Sequence, residues 1–358
     1  MTDRIKRFRR QFVDAADAAL LFGAENRRYF TGTDTADAGV LLVTRHSAYW
    51  IIDARYIEAA QEKAPEGVTV ILQQELLKQL SDLLKDESVE QICVEIGLLS
   101  FARVMELEEK LVPARLLHDV DADRICRSMR QIKEPGELEK IKCAQKITDA
   151  AFEYMLGRID VGRTERELAL ELEFFVRSQG AEKMAFDTIL IGGANTSKPH
   201  GIPGEYRLQK GDLVTMDFGA DIDGYKSDMT RTVALGSVND AQKRVYETVL
   251  AAQNAALEDI ALGRFCRDID KTARDFINAA GYQGCFGHAL GHSVGLEIHE
   301  TPNFSPSCDA VLQWGMVMTV EPGIYLAGQF GVRIEDLVVV CENGCMNLTN
   351  SEKKLIIL

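Results

Sequence analysis

Two nine-residue segments of this chain share one spacing of glycine and carboxylate. In each segment a glycine stands six residues before an acidic residue, and a second glycine stands two residues after it. The segments are Gly211–Gly219, where the acid is Asp217, and Gly315–Gly323, where it is Glu321. Helical periodicity accompanies β-rich runs around both segments, which favours an internally duplicated domain whose halves meet around paired acids. A match of this length could also arise by chance.

The first 120 or so residues have a different pattern, in which short β-rich runs alternate with helical segments. The predicted strands are 19–22, 39–44, 48–52, 68–72 and 91–95. This alternation predicts a small α/β domain. The acidic stretch 119–123 and the breakers Pro135 and Gly136 mark its end, and we predict domains of residues 1–122 and 123–358.

The second domain opens with helical patterns. Apolar residues recur at helical spacing between Leu138 and Met155, and Thr164 with Glu167 forms a capping-box signature for a second helix. Helical periodicity returns over 246–257 and 269–280, followed by predicted strands at 316–320 and 332–340.

Charge and composition exclude several classes of partner. The formal net charge of −14 repels nucleic-acid phosphates and anionic membrane surfaces. No apolar run approaches the roughly 20 residues that cross a bilayer, so we expect a cytoplasmic protein that binds neither nucleic acid nor membrane. The eight cysteines contain no CxxC pair, and we expect them to be structural.

The first pair of candidate site residues is Asp217 and Asp228, which flank the turn-like Asp223–Gly224 between β-rich runs. With those two residues at the centre of the turn, Asp217 lies opposite Thr230 and diagonal to Asp228, and both carboxylates point to one side. Two like charges placed this way repel unless a cation lies between them. A solvated hairpin face is the alternative.

The second pair is Glu321 and Glu335. Glu335 lies in the strongly apolar run 332–340, where burial of an acid is costly unless it is paired or bound to metal. Arg333 lies two residues earlier on the same predicted strand face and could be its partner, so an ion pair and a metal ligand are equally good readings of this pair.

The histidines of the chain favour the metal-ligand interpretation over the ion pair. Three of the six histidines lie within 288–300. Neutral imidazole ligates transition metals, and carboxylates that bridge two ions suit Mn, Co or Zn. A single histidine in an apolar strand is more often a core residue, but four carboxylates and one histidine together would serve two ions.

Four segments together resemble the metal-binding motifs of the Xaa-Pro peptidase family, which includes aminopeptidase P and prolidase. They are Met216–Thr232, Gly291–Glu300, Val320–Tyr325 and Val332–Asp336. The resemblance extends to Asn195–Pro203 and Asn26–Gly32, so it covers essentially the whole chain. It implies that a pita-bread catalytic domain, a pseudo-twofold α+β arrangement, follows a creatinase/prolidase-like N-terminal domain.

The resemblance implies a ligand set and a mechanism. The implied metal ligands are Asp217, Asp228, His292, Glu321 and Glu335, with Asp228 and Glu335 bridging both ions. The cofactor would be two divalent ions, with manganese favoured over cobalt or zinc. In that family the ions activate the attacking water and polarise the scissile carbonyl, while Glu321 accepts and passes on the proton.

Four more residues correspond to positions around the metal site in the family. His288 and His299 would contact the substrate and stabilise the tetrahedral intermediate, and His200 would line the same pocket. Arg333 would brace the metal carboxylates. The alternative for all four is support of the metal ligands by hydrogen bonding alone. Thr230 is expected to pack, although its hydroxyl could reach a ligand carboxylate.

The expected activity is hydrolysis of the bond between an N-terminal residue and a following proline in small peptides, as in an Xaa-Pro aminopeptidase. An Xaa-Pro dipeptidase is the alternative, and a non-catalytic peptide-binding protein on the same fold is a second. The resemblance also implies a homodimer, in which the loop 32–39 is a candidate lid.

Overall fold

A computed structural model describes residues 2–35 and 38–358 of the chain. It divides into two compact units, Met1–Arg130 and Gln131–Leu358. The predicted boundary after residue 122 stays a prediction. The candidate lid, 32–39, includes residues 36 and 37, which lie outside the described residues. Within the described ranges no helix combines the length and the apolar character that a membrane span requires.

The first unit is built on one six-stranded mixed sheet with the order β4-β3-β2-β1-β5-β6. Its strands are β1 Ala18–Leu21, β2 Val40–Thr44, β3 Ala48–Ile52, β4 Thr69–Leu72, β5 Gln91–Val94 and β6 Arg115–Asp121. Its helices are α1 Thr2–Phe12, α2 Ala24–Thr31, α3 Ile57–Lys63, α4 Leu76–Asp86, α5 Phe101–Lys110 and α6 Ala122–Arg130. One core cluster lies between the sheet and the helices α4 and α5, and it includes Leu20, Leu42, Leu80 and Leu107.

The sequence predicted this sheet well but missed one strand. The five predicted strands are confirmed, each with ends within one residue of the prediction. The missed strand, β6, ends in the acidic stretch that suggested a domain transition. Its residues are mostly exposed or half-buried, so the hydrophobic alternation that reveals a strand is weak there.

The second unit contains four long helices and thirteen strands. The helices are α7 Pro135–Leu156, α8 Glu165–Ser178, α9 Asp240–Asp259 and α10 Cys266–Ala279. The strands are β7 Lys183–Met184, β8 Ile189–Gly192, β9 Leu213–Phe218, β10 Ala220–Ile222, β11 Tyr225–Lys226, β12 Met229–Ala234, β13 Gly291–Ser293, β14 Glu300–Phe304, β15 Val317–Val320, β16 Gly323–Leu326, β17 Phe330–Arg333, β18 Asp336–Cys341 and β19 Gly344–Asn347. Thr164 and Glu167 form the predicted capping box at the start of α8.

The predicted duplication is confirmed by the element order and the sheet pairing. The helix pair α7 and α8 precedes the antiparallel sheet β12-β9-β8, and the pair α9 and α10 precedes β13, β15 and β18, which pair in the same way. Gly211 and Gly315, at the start of the repeated segments, have φ values of 96° and 86°. Each half therefore uses its glycine for the same left-handed entry into a strand.

The predicted hairpin register is also confirmed. Asp217 lies opposite Thr230 across β9 and β12. Beyond Gly219 the chain continues as β10 and β11, where Ile222 pairs with Tyr225 and leaves Asp223 and Gly224 as a two-residue turn with positive φ at both positions. A Cβ at Gly219 would lie 1.9 Å from the carbonyl oxygen of Ser227, so this close strand approach requires glycine.

The prediction of one strand over 332–340 was wrong. β17 ends at Arg333 and β18 begins at Asp336, so Glu335 lies between strands. β17 pairs with β16, whereas β18 pairs with β15 and β19. The chain changes partners at this point, and a continuous apolar run cannot reveal that change. The amide of Glu335 donates to the carbonyl of Thr230 on β12 at 3.1 Å.

Candidate metal centre

One cavity of about 920 Å³ in the second unit is lined by all of the predicted site residues. They are Asp217, Asp228, His292, Glu321, Glu335, His200, His288, His299 and Arg333. The four acids come from equivalent places in the two halves, because Asp217 lies near the end of β9, Glu321 follows β15, and Asp228 and Glu335 each immediately precede a strand. The duplicated fold thus brings the paired acids of the sequence together.

His292 is oriented toward the carboxylates by its backbone surroundings. Its Nδ1 lies 3.2 Å from the carbonyl oxygen of Ser293, to which it must donate, so Nε2 carries the lone pair. That Nε2 lies 3.5 Å from Asp228 Oδ2 and 3.4 Å from Glu321 Oε1. Asp228, His292 and Glu335 can each offer one ligand atom within 4.8 Å of the other two. This grouping has the geometry and chemistry of a metal site.

Two buried carboxylate oxygens lack a hydrogen-bond partner among the described residues. One is Asp217 Oδ1 and the other is Glu335 Oε1. The other oxygen of Glu335 accepts a hydrogen bond of 2.7 Å from the hydroxyl of Thr230. Buried polar atoms are nearly always satisfied, so two orphaned oxygens within a cluster of carboxylates fit bound cations. The donor set therefore suits the divalent metal ions that we predicted.

Burial makes this cluster electrostatically costly without a cation. Burial, with Asp217 and Glu321 close by, raises the pKa of Asp228 well above its usual range. Burial and the neighbouring acids, Asp228 foremost, do the same to the pKa of Glu335, and burial raises the pKa of Glu321 to about 8. Burial lowers the pKa of His292 to about 4, which keeps the imidazole in its neutral, metal-binding form.

Arg333 is the cationic neighbour of the acids, but its partner differs from the one considered from sequence. Its Nη2 forms a buried ion pair with Asp217 instead of Glu335. Its Nε donates to the hydroxyl of Thr230 at 3.0 Å, and its Nη1 donates to the hydroxyl of Tyr325 at 2.8 Å. Because Thr230 in turn donates to Glu335, Arg333 orients acids from both halves of the fold.

The other three histidines predicted for the site lie around the same cavity. His288 Nδ1 lies 2.8 Å from the carbonyl oxygen of Ala289, so Nδ1 carries the proton and Nε2, at 2.9 Å, accepts from the hydroxyl of Tyr325. The exposed His299 packs edge-on to His292 with 4.4 Å between ring centroids. His200 lies on an exposed loop at the cavity wall.

Two residues of this site were not assigned from sequence. The hydroxyl of Thr319 accepts from the amide of His292 at 3.0 Å and donates to Glu321 at 3.3 Å. Its position two residues before Glu321 on β15 was an available signal, because alternate residues share a strand face. The second residue, Tyr325, links His288 to Arg333 through its hydroxyl. It lies in one of the recognised motifs, but the motif gave no indication of these two contacts.

The rest of the cavity wall contains several apolar side chains. They are Phe186, Ile189, Pro199, Ile202, Pro203 and Ile298. Ile202 is 88% exposed, so it offers an apolar surface beside His200 that nothing in the described chain covers. The cavity thus has an acidic, metal-suited base and a partly apolar wall, which is the general form of a small-molecule site.

Comparisons with known proteins agree on this architecture. Residues 139–342 match metallopeptidase family M24, and residues 4–132 match the creatinase/prolidase N-terminal domain. The chain is 37% identical to a Xaa-Pro dipeptidase of Pyrococcus horikoshii over 99% of both chains. Among solved structures, a Xaa-Pro dipeptidase from Bacillus anthracis has a TM-score of 0.95 at 38% identity, covering 100% of this chain and 99% of that one. An X-Pro aminopeptidase from Thermotoga maritima has a TM-score of 0.90 at 35% identity, covering 98% and 100%.

Proposed function

This chain belongs to metallopeptidase family M24, and we propose that it hydrolyses Xaa-Pro dipeptides. The observation that carries the proposal is the convergence of three buried acids, the half-buried Glu321 and a neutral His292 at the base of one cavity. Of the two peptidase activities considered from sequence, the dipeptidase is now the better supported, because curated and structural relatives carry that name.

We propose that the five predicted ligands hold two divalent ions, with manganese favoured over cobalt and zinc. The orphaned oxygens of Asp217 and Glu335 support this assignment, since each needs a positive partner. When bound, such ions supply an activated water and polarise the scissile carbonyl. The chain's own contribution is to hold the acids close together in a buried site, chiefly through Arg333 and Thr230.

The proposed proton carrier is Glu321. Its Oε1 lies 3.4 Å from His292 Nε2 and accepts from the hydroxyl of Thr319. A carboxylate in this position can take a proton from an attacking water and return it in a later step. His288, His299 and His200 line the cavity beside it, and we propose that they contact the substrate around the scissile bond.

The apolar wall supports a substrate with a ring at its second position. Phe186, Ile189 and Ile298 offer surface for apolar groups, and the tertiary amide before proline brings no N–H that would need a partner there.

A second candidate, the aminopeptidase, is favoured by the charges along the cavity. Arg333 is the one arginine or lysine among the described residues that line it, and its guanidinium is already engaged by Asp217, Thr230 and Tyr325. No uncommitted lysine or arginine of that lining remains for the C-terminal carboxylate of a dipeptide. Without a cation that requires this carboxylate, the cavity would accept a peptide that continues to a third residue after the proline.

The test compares Ala-Pro, Ala-Pro-NH₂, Ala-Pro-Ala and Ala-Ala-Ala with chelated protein reloaded with Mn, Co or Zn. Cleavage of Ala-Pro alone supports the dipeptidase. Release of alanine from Ala-Pro-Ala and Ala-Pro-NH₂ supports the aminopeptidase. Cleavage of Ala-Ala-Ala alone removes the proline preference, and silence on all four with metal bound favours a peptide-binding protein.

We also propose a homodimer in the cytoplasm. All eight cysteines are free, which suits a reducing compartment. Light scattering behind size exclusion gives the assembly state, and cell fractionation gives the location; a monomer or an exported protein would contradict the respective part.

A further inference from the structure

The segment that carries His288 follows α10 and precedes β13, and residues 286–290 of this segment lie in neither helix nor strand. Carbonyl and amide groups of such a segment need partners from elsewhere. Two side chains of α10 supply them. Arg274 donates from Nη1 to the carbonyl of Phe286 at 2.9 Å and from Nη2 to the carbonyl of His288 at 2.8 Å. Asp270 Oδ1 accepts from the amide of Leu290 at 3.1 Å.

Asp270 and Arg274 also hold each other in a fixed orientation. They lie one turn apart on α10 and form a two-pronged ion pair, with Arg274 Nε 2.8 Å from Asp270 Oδ2 and Nη2 2.7 Å from Oδ1. Asp270 is 1% exposed, and the Arg274 side chain is 25% exposed. The planar guanidinium can bind the carboxylate and both carbonyls at once, which an ammonium group cannot do.

Arg274 also packs on an aromatic ring, which in turn packs against the imidazole of His288. The guanidinium of Arg274 lies over the ring of Phe286, 4.4 Å from its centroid. The edge-to-face contact between Phe286 and His288 has a centroid distance of 4.9 Å and an interplanar angle of 88°. The backbone and the neighbouring ring of His288 are therefore both held from α10.

We propose that Asp270 and Arg274 are positioning residues that fix the His288 imidazole, as its Nδ1–H tautomer, at the wall of the substrate cavity. The inference rests on the proposed function, in which His288 contacts substrate. Stability alone is a poor explanation of this pair, because buried ion pairs are weak stabilisers compared with apolar packing of the same volume. A requirement for orientation accounts for three backbone contacts confined to one five-residue segment.

The same helix offers a matched control. Lys271 and Asp275 also form an ion pair four residues apart, but both side chains are exposed, at 68% and 60%. Replacement of Lys271 with alanine removes one positive charge from α10, as Arg274→Ala does, without touching residues 286–290.

The experiment compares Arg274→Ala, Arg274→Lys and Asp270→Asn with Lys271→Ala in the metal-loaded protein. We expect Arg274→Ala to lower kcat by about 10- to 100-fold, the usual effect of losing a residue that orients a catalytic group, while KM and bound metal stay unchanged. Arg274→Lys should recover only part of this loss, and millimolar guanidinium should partly restore Arg274→Ala. Lys271→Ala should match the wild type. Unchanged kcat in Arg274→Ala, or a loss that follows metal content or the folded fraction, overturns the proposal.

A second readout is independent of catalysis. Nitrogen NMR of the zinc-loaded protein, with the His288 signal assigned from a His288→Gln variant, reports which ring nitrogen carries the proton. We expect a fixed Nδ1–H tautomer in the wild type and in Lys271→Ala, and a mixture in Arg274→Ala. A fixed tautomer in Arg274→Ala contradicts the inference. If the wild type cleaves none of the four peptides, the proposed function fails, and the tautomer measurement still decides whether the pair positions His288.

Discussion

Glu335 illustrates how one residue can be costly and necessary at once. It is 1% exposed, it faces other acids, and one of its oxygens has no hydrogen-bond partner among the described residues. Without a cation, the buried charge of Glu335 lowers the stability of the folded protein. A bound cation would offset this cost and stabilise the folded state. Whether a substitution of Glu335 raises or lowers the stability of the protein should therefore depend on whether metal is bound.

We expect Glu335→Gln to raise the Tm of the metal-free protein at pH 8 and to lower the Tm of the metal-loaded protein. The amide removes repulsion from the empty site, and each kcal/mol relieved shifts Tm by about 2–4 °C in a domain of this size. It also removes a metal ligand, so activity and one or both ions should be lost. Calorimetry and metal analysis of both forms test this, with exposed Glu258→Gln as the control. Two tightly bound ions in Glu335→Gln would contradict its role as a ligand.

The carboxyl pKa values give the metal-free protein a definite dependence on pH. Burial raises the folded pKa of Asp228, Glu321 and Glu335 above the unfolded values. The folded state then binds more protons than the unfolded state, so the stability of the metal-free protein falls as pH rises from the unfolded pKa through the folded pKa. For Glu321 that range ends near pH 8.

The histidines restrict where this fall can be seen. Burial lowers the folded pKa of His288 and His292 to about 4, and also lowers that of His299, so their effect has the opposite sign below their unfolded pKa of 6.5. Above pH 6.5 most of these histidines are neutral in both states, and above about pH 7.5 nearly all of them are. We therefore expect the Tm of chelated protein to fall between pH 6.5 and 8, and that of metal-loaded protein to fall less. Melting curves at constant ionic strength test this, and a rise in the chelated protein would contradict it.

Among the elements, the hairpin from β9 to β12 controls the spacing of the first two acids. Gly219 lets its chain pass close to Ser227, where a Cβ would meet the carbonyl oxygen at 1.9 Å. We expect Gly219→Ala to cost about 1–3 kcal/mol, as overpacking of a core does, and to weaken metal binding because Asp217 and Asp228 shift apart. The matched control is Gly136→Ala in α7, which has open space and should be neutral or stabilising. Denaturant unfolding and metal titration measure both effects, and unchanged metal affinity in a folded Gly219→Ala would contradict this account.

Local patterns predicted the elements better than the places where elements exchange partners. The two-residue turn at Asp223 and Gly224 and the capping box at Thr164 follow from neighbouring residues, and both are confirmed. The break before Glu335 depends on pairing with strands far along the chain, and the apolar run 332–340 hid it.

The same limit applies to the site. The motifs located the candidate ligands, which remain a prediction. Asp270 and Arg274 bind backbone atoms, which every residue has, so no motif in the sequence predicts these contacts.

At the scale of the molecule, all proposed ligands lie in the second unit, Gln131–Leu358. Metal removal should therefore act first on that unit. We expect hydrogen exchange in chelated protein to increase most in β9, β12, β13 and β18, with little change in β1 to β3 of the first unit. Mass spectrometry of peptides from loaded and chelated protein measures this. Equal increases in β1 to β3 would contradict it.

Among the proposed ligands, His292 has no counterpart in the other half of the duplicated fold, and this makes the two proposed ions unequal. Asp217 corresponds to Glu321 in the repeated segments, and Asp228 and Glu335 each immediately precede a strand. Ile191 pairs with Thr215, the counterpart of Thr319, whose hydroxyl accepts from the amide of His292, so Ile191 occupies in the first half the place of His292 in the second. One ion would then have a nitrogen ligand and the other oxygen ligands alone. Because nitrogen and oxygen donors rank divalent metals differently, broken symmetry at a single residue should separate the affinities of the two sites. Calorimetric titration of the chelated protein should resolve two loading steps, and a mixed-metal enzyme becomes attainable by filling them in order.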